Sequence, residues 1–277
     1  MTLGRCVIAV LLLGPFAAAF CQTHEHTDHS QHPPPATTDS GASGHVPPGP
    51  PAHSLGPMSS AEMIEMMAMD DAARYGNVVV DQLEWREHDD AFGWEASAWY
   101  GGDYNKLLIR TEGIDADDGA HARNELLWDR VIGRWWNLHA GVRHDTGDGP
   151  SRTWAAVGTQ GLAPYWFDVD AAFYLGEQGR TALRIEARYD LRLTQRWILQ
   201  PQLEANAYGK GDPERQLGSG LAELQASLRL RYEIRREFAP YVGLNFTGLF
   251  GETADLARAA GGDDSETQIV AGFRFWF

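Results

Sequence analysis

Four histidines stand within nine residues, His24, His26, His29 and His32 in the run "HEHTDHSQH", with Glu25 and Asp28 between them. His45 and His53 follow, so six of the ten histidines precede residue 54. The methionines come next: Met58, Met63, Met66, Met67 and Met69, after which the chain uses none. Imidazole nitrogen suits copper, zinc and nickel, whereas thioether sulfur is a soft ligand that selects Cu(I). Imidazoles followed by thioethers point to copper, Cu(II) on the histidines and Cu(I) on the methionines. Two other readings use the same residues. The methionines could form an adaptable apolar face against a barrel mouth or a partner, and the histidines could belong to a polar linker.

The surrounding segments must present these ligands. Arg5 followed by "VIAVLLLGPFAAAF" has the charge and apolar run of an export signal, with cleavage expected near Ala17–Ala19, so residues 1–19 are assigned to a signal peptide. An uncleaved anchor is the alternative, disfavoured because the run is short and carries Pro15. The cysteines, Cys6 and Cys21, both lie in or beside this segment. A disulfide framework and a thiolate zinc cluster are therefore excluded. Residues 20–57 are rich in Pro, His, Ser and Thr, with too few large apolar residues to bury a core, and should be a disordered tether. Residues 58–76 form a helix candidate. Ser59 and Glu62 match a capping box, Met63, Met66 and Met67 share one face, and Gly76 is a natural stop.

From Asn77 onward the period becomes two, and all ten tryptophans lie there. In "TALRIEARYDL", Leu183, Ile185, Ala187, Tyr189 and Leu191 alternate with Arg184, Glu186, Arg188 and Asp190. In "LAELQASLRLRYE", Ala222, Leu224, Ala226, Leu228, Leu230 and Tyr232 take one face. Such strands suit a soluble sandwich or an outer-membrane barrel. Strands of about ten residues, aromatic pairs such as Trp99–Tyr100, Trp135–Trp136 and Tyr165–Trp166 at strand ends, and an alternating, aromatic-terminated "IVAGFRFWF" favour the barrel. The fold expected is all-β: a transmembrane antiparallel up-and-down barrel over 77–277. About twelve strands are expected, with ten as the alternative, at 78–88, 91–100, 104–112, 121–132, 135–145, 152–161, 165–176, 180–191, 196–208, 219–233, 238–249 and 266–277. An even count puts both termini on the periplasmic side, where the tail would hang. "GIDADDGA", "TGDGPS", "GKGDPERQLG" and "GETADLARAAGGDD" read as the longer outer loops.

The polar face of these strands would line the lumen. Glu84, Arg86, Glu95, Lys106, Arg110, Arg123, Asp129, Arg143, Asp168, Asp170, Arg184, Glu186, Arg188, Glu204, Glu223, Arg229 and Arg231 are expected there, chiefly as ion pairs that fill it. A secondary metal site could draw on His88, His121, His139 or His144 with a neighbouring carboxylate such as Glu125. No enzyme is expected. Ser97, Ser151 and Ser227 lack a nucleophile motif, and "GKGDPER" lacks phosphate-loop spacing. A net charge of −15 argues against nucleic acid as a partner.

Four long segments carry a resemblance: "LEWREHDDAFGWEASAWYGGDYNKLLIRTEG", "GVRHDTGDGPSRTWAAVGTQGLAPYWFDVDAAFY", "YDLRLTQRWILQPQLEANAYGKGDPERQLGSGL" and "RYEIRREFAPYVGLNF", with the closing "AGFRFWF". They resemble the copper resistance protein B family over nearly all of 78–277. The resemblance implies an outer-membrane barrel serving periplasmic copper tolerance, beside a periplasmic multicopper oxidase or copper carrier and in contact with outer-membrane lipid. The tail departs from the family pattern. Its methionines are few and its histidines dominate, so a mixed Cu(I)/Cu(II) tail is expected in place of a purely thioether one. A generic small-solute porin and a partner-docking barrel, each with an incidental tail, are the competing readings.

Overall fold

The computed structural model describes Ser59 and residues 73–87, 91–116, 119–147 and 149–277. Strands dominate: β1 Tyr75–Arg86, β2 Ala91–Gly101, β3 Asn105–Ala116, β4 Gly119–Val131, β5 Trp136–Thr146, β6 Arg152–Ala163, β7 Phe167–Gly176, β8 Thr181–Arg188, β9 Leu191–Arg192, β10 Trp197–Tyr208, β11 Gly220–Tyr232, β12 Phe238–Leu249 and β13 Ser265–Trp276. Strand β9 pairs with β10 just beyond β8, so the two are one interrupted stave. Thirteen segments thus make the twelve staves anticipated from the hydrophobic alternation. Each pairs antiparallel with its neighbours, and β1 closes on β13 as well as β2. Closure leaves no sheet edge, the condition for a β-structure to span hydrocarbon, where an unpaired backbone group finds no water.

The alternation is realised with the apolar side out. Leu107, Ile109, Leu126, Val142, Val157, Ile185, Leu203, Leu244 and Ile269 are all exposed on the outer wall. Their neighbours Glu125, Asp129, His139, Arg143, Asp170, Arg184, Glu186 and Arg229 are buried inside. An inverted distribution of this kind is stable only where lipid replaces water outside. The inner wall is not wholly polar. Leu108, Leu127, Trp154, Ala156, Ala172, Tyr174 and Ala182 form a compact apolar cluster within the barrel.

The start of β1 and the end of β13 lie at one rim, where Val79 faces Trp276 in register. The turns at this rim, 102–104, 132–135, 164–166, 193–196 and 233–237, are short. Aromatics crowd it: Trp135 meets Trp166 edge-on at 5.7 Å, and Trp197 lies 4.8 Å from Tyr232. At the opposite rim the connections after β10 and β12 are long.

Several boundaries differ from expectation. Tyr75 and Gly76 already belong to β1, so the barrel begins before Asn77. "GIDADDGA" is not a loop: β3 and β4 run on until Ala116 pairs Gly119, and the hairpin projects as sheet. "GETADLARAAGGDD" holds helix α1, Gly251–Ala259, with Glu252 in its first turn and Arg258 in its last, charges that suit the helix dipole. Ala222 does not share the outer face with Leu224. A register shift in the β10–β11 pairing skips it, and it is fully buried. A second shift, between Val80 and Gln82 in β1, turns both Asp81 and Gln82 inward.

Candidate functional site

The lumen is bridged by charge. Arg184 on β8 donates to Glu204 on β10 at 2.8 Å, pairs Glu186 at 2.9 Å and reaches across to Glu112 on β3 at 3.2 Å. Arg123 on β4 holds Glu112 at 2.7 Å. Arg188 spans to Glu95 on β2 at 3.2 Å, and Gln82 on β1 to Gln202 on β10 at 3.4 Å. The belt divides the interior. A chamber of about 560 Å³ lies toward the long connections, and one of about 730 Å³ toward the short turns. Glu95, Glu112, Arg123 and Arg184 wall both. Charges removed from water demand such partners, because an uncompensated buried ion costs several kcal/mol, roughly 3–5 when one partner is removed.

Two further networks stiffen the wall. Glu84, 1% exposed, accepts hydrogen bonds from Arg229 at 3.1 Å, from Tyr241 at 3.0 Å and from Arg86 at 3.2 Å. Arg143 grips Asp145 through two hydrogen bonds of 2.7 and 2.9 Å, and Trp154 Nε1 donates to the same carboxylate at 3.0 Å. The sequence missed the inward Leu127, Trp154 and Tyr174. For two of them the signal was present, since Leu127 sits in phase with Arg123 and Asp129 on β4 and Tyr174 with Asp168 and Asp170 on β7, whereas β6 offered no expected lumenal charge to phase Trp154.

The wide chamber on the short-turn side is lined by Asp129, Glu125, Asp168 and Asp170 among others. Arg110 donates to Gln160 at 2.7 Å and pairs Asp170 at 2.8 Å. Tyr174 donates to Glu125 at 2.7 Å. His139 is 1% exposed, inside as expected, and neither of its ring nitrogens has a hydrogen-bond partner.

The other sequence candidates fall elsewhere. His121 lines the narrower chamber, away from Asp129 and Asp170, and its ring borders Gly147. His144 is not lumenal. It lies between inward Arg143 and Asp145, so the pleat turns it to the outer face, where Nδ1 is 2.9 Å from Thr153 Oγ1. His24, His26, His29, His32, His45, His53, Met58, Met63, Met66, Met67, Met69 and His88 lie outside the described residues. Among the described residues, no three His, Cys, Asp or Glu side chains converge closely enough to hold a metal ion.

The connection from β10 to β11 forms part of the narrower chamber's wall. Arg152, at the start of β6, donates to both oxygens of Asp212 at 2.8 and 3.1 Å and to Glu214 at 2.8 Å. Arg215 donates to the Pro150 carbonyl at 3.0 Å. The Arg152 hydrogen bonds hold the Asp212 carboxyl below the usual carboxylate range, with the charges of Arg152, Arg180 and Arg215 adding to them against partial burial. At the loop's other end, Ser219 N and Oγ donate to Glu252 at 2.9 and 2.8 Å, and Gly218 N donates to Thr253 Oγ1 at 2.9 Å. Any side chain at residue 218 would collide with the α1 backbone, the Thr253 nitrogen lying 2.5 Å from its Cβ position.

Residues 74–277 match the family model described as copper resistance protein B precursor (CopB). The chain is 43% identical over 213 residues to copper resistance protein B of Escherichia coli, covering 76% of this chain and 72% of that protein. It is 40% identical over 280 residues to a copper resistance protein B homolog of Pseudomonas syringae pv. tomato (strain ATCC BAA-871 / DC3000), covering 97% and 93%. Among solved structures, a NanC porin aligns with a TM-score of 0.47 at 11% identity, and a KdgM porin with 0.43 at 10%. Each alignment covers 73% of this chain and 99% of the porin.

Proposed function

This chain belongs to the copper resistance protein B family, and from that premise we propose that it is a non-enzymatic outer-membrane barrel whose N-terminal tail captures copper at the periplasmic mouth. The observation that carries this reading is the order of ligands along the chain. Six histidines and then five methionines lead directly into β1, which starts at Tyr75 on the short-turn rim. Short turns mark the periplasmic rim of outer-membrane barrels. Covalent tethering there raises the local concentration of captured ion at the lumen entrance. Histidines take Cu(II), methionines take Cu(I), and the tail hands the ion to the barrel or to a periplasmic multicopper oxidase or carrier.

The test is copper stoichiometry and flux on full-length protein and on a variant with residues 24–69 deleted, both reconstituted in liposomes. Copper bound per chain should fall in the deleted form, and selective copper flux should depend on the tail. Unselective flux of small solutes, indifferent to the tail, would make the barrel a general porin instead. Replacing Met63, Met66, Met67 and Met69 by Leu should abolish the Cu(I) share under reducing conditions while leaving Cu(II) on the histidines. Undiminished Cu(I) binding would remove the thioethers from the reading.

A further inference from the structure

The connection between β10 and β11 reads "GKGDPERQLGSG", with Gly209 and Gly211 before its tip and Gly218 and Gly220 after it. Between them, residues 212–217 close on themselves. Asp212 and Leu217 exchange both backbone hydrogen bonds, at 2.7 and 3.0 Å, around the 3-10 turn Pro213–Arg215. The tip is therefore one small body on two glycine-bracketed stalks. Gly220 sits at φ +86°, in the left-handed region that glycine enters without steric cost.

This body roofs the narrower chamber, where Asp212, Glu214, Arg215, Gln216 and Leu217 line the side of the long connections. The stalk after the tip is fixed to α1 through Gly218 and Ser219. At its far end the tip is held by charge. Arg152, at the start of β6, carries both Asp212 and Glu214, and Arg180, just before β8, stands 3.5 Å from Asp212. Arg215 adds its bond to the Pro150 carbonyl. Of the six tip residues only Asp212 is buried. A segment joined to the rest by polar contacts near the surface and few apolar ones belongs to the low-stability end of a fold, from which lids are drawn.

We propose that residues 212–217 are a hinged lid over the long-connection mouth, latched shut by Arg152 on Asp212 and Glu214. Closed, the tip separates the narrower chamber from the solution on that side. It opens by swinging on the glycine stalks with its own turn intact. The bonds that break run from the tip to Arg152, Arg180 and Pro150, and those within the tip stay. Lids absorb their change of dihedral angle at a few positions at the ends of elements, and here the glycines occupy those positions. Glu95, Glu112, Arg123 and Arg184 of the charge belt wall the same chamber, so the lid decides its exchange with the face of the long connections. The lid rests on this geometry and is independent of what the barrel carries.

The experiment uses full-length protein carrying Cys6→Ser and Cys21→Ser, folded in detergent so that both mouths meet water. No cysteine follows Cys21, so a single reporter thiol can then be introduced. Ser227→Cys puts it in the narrower chamber and Ser97→Cys in the wide one. Labelling by trimethylammonium-ethyl methanethiosulfonate is followed by mass spectrometry, and folding is verified by heat-modifiable electrophoretic mobility. Arg152→Gln, and separately Asp212→Asn combined with Glu214→Gln, should each speed labelling at residue 227 at least tenfold and leave the rate at residue 97 unchanged. The second variant leaves β6 untouched, so it tests the latch even if Arg152→Gln folds poorly. Labelling at residue 227 that is equally fast with the latch intact and broken overturns the proposal, because the connection is then a fixed wall or no barrier. Faster labelling at both residues also overturns it, because the barrel has then loosened as a whole.

Discussion

Arg184 shows how much one side chain can carry in this lumen. Its guanidinium meets Glu204, Glu186 and Glu112, and so joins β8 both to its neighbour and to the far wall. Replacing it by Leu would leave Glu112 and Glu204 to Arg123 and Glu186 to Arg188. Loss of one partner from a buried pair costs about 3–5 kcal/mol, so Arg184→Leu should lower the urea midpoint of the detergent-folded barrel markedly, read by tryptophan fluorescence. An unchanged midpoint would mean that water already screens the belt. Gly158 is the opposite kind of residue, valued for what it lacks. A methyl group there meets both His139 Nε2 and, at 2.6 Å, the Ala171 carbonyl. Gly158→Ala should cost roughly 1–3 kcal/mol through overpacking, and the same unfolding assay would register it. The type of residue was readable at both positions, but the neighbour that gives each its meaning was not.

At the scale of elements, the alternation was legible because one residue in two faces lipid and the other does not. It failed where the pleat slips. The shifts in β1 and β11 each change which parity points inward, which brought Asp81 inside to pair with Arg274 at 2.9 Å and removed Ala222 from the lipid face. Helix α1 was hidden by reading "GETADLARAAGGDD" for its glycines and acids, although its alanines and Leu256 favour helix. The β10–β11 connection is a folded element of its own, docked by Asp212. Because the Asp212 carboxyl titrates below its ordinary value in the folded state, its docking contribution is complete above about pH 4, the unfolded value. That contribution is lost as pH falls through the lower folded value. Hydrogen exchange of residues 209–219, corrected for intrinsic rates, should therefore be flat from neutral pH to about 5 and rise only in stronger acid. Asp212→Ala removes charge-assisted hydrogen bonds worth about 1.5–3 kcal/mol and should speed tryptic cleavage after Lys210 or Arg215 about tenfold or more at neutral pH. Unaltered cleavage would mean that Glu252 and Thr253 suffice to hold the loop.

For the whole molecule, closure is the decisive event. Val78 and Phe277 exchange both backbone hydrogen bonds, at 2.9 and 3.0 Å, where the first stave meets the last. Deleting Phe277 removes that pair and the terminal aromatic. The refolded barrel should lose only about 1 kcal/mol per bond, whereas its yield in the outer membrane should drop several-fold if the terminal aromatic serves assembly. Comparing heat-modifiable protein in membranes with protein refolded in detergent separates the two effects. The charge belt has a consequence at the same scale, because any ion crossing the barrel must pass between Arg184, Arg123, Glu95 and Glu112.

The sequence by itself determined the wall and the residue types available to a metal. Period-two alternation with an apolar outer face, aromatic ends and an even number of staves is local information, repeated in every strand, so it survives without knowledge of the partners. Imidazole and thioether chemistry likewise belongs to the residue type, and the expectation of copper rests on it before any fold is known. The tertiary structure decided what lies inside. Glu95 meets Arg188, and Glu84 meets Arg229, only because a closed sheet of twelve staves brings opposite walls within side-chain reach. It also separated His139, turned inward, from His144, five residues later and turned out. Parity and curvature make that distinction, and both belong to the sheet as a whole.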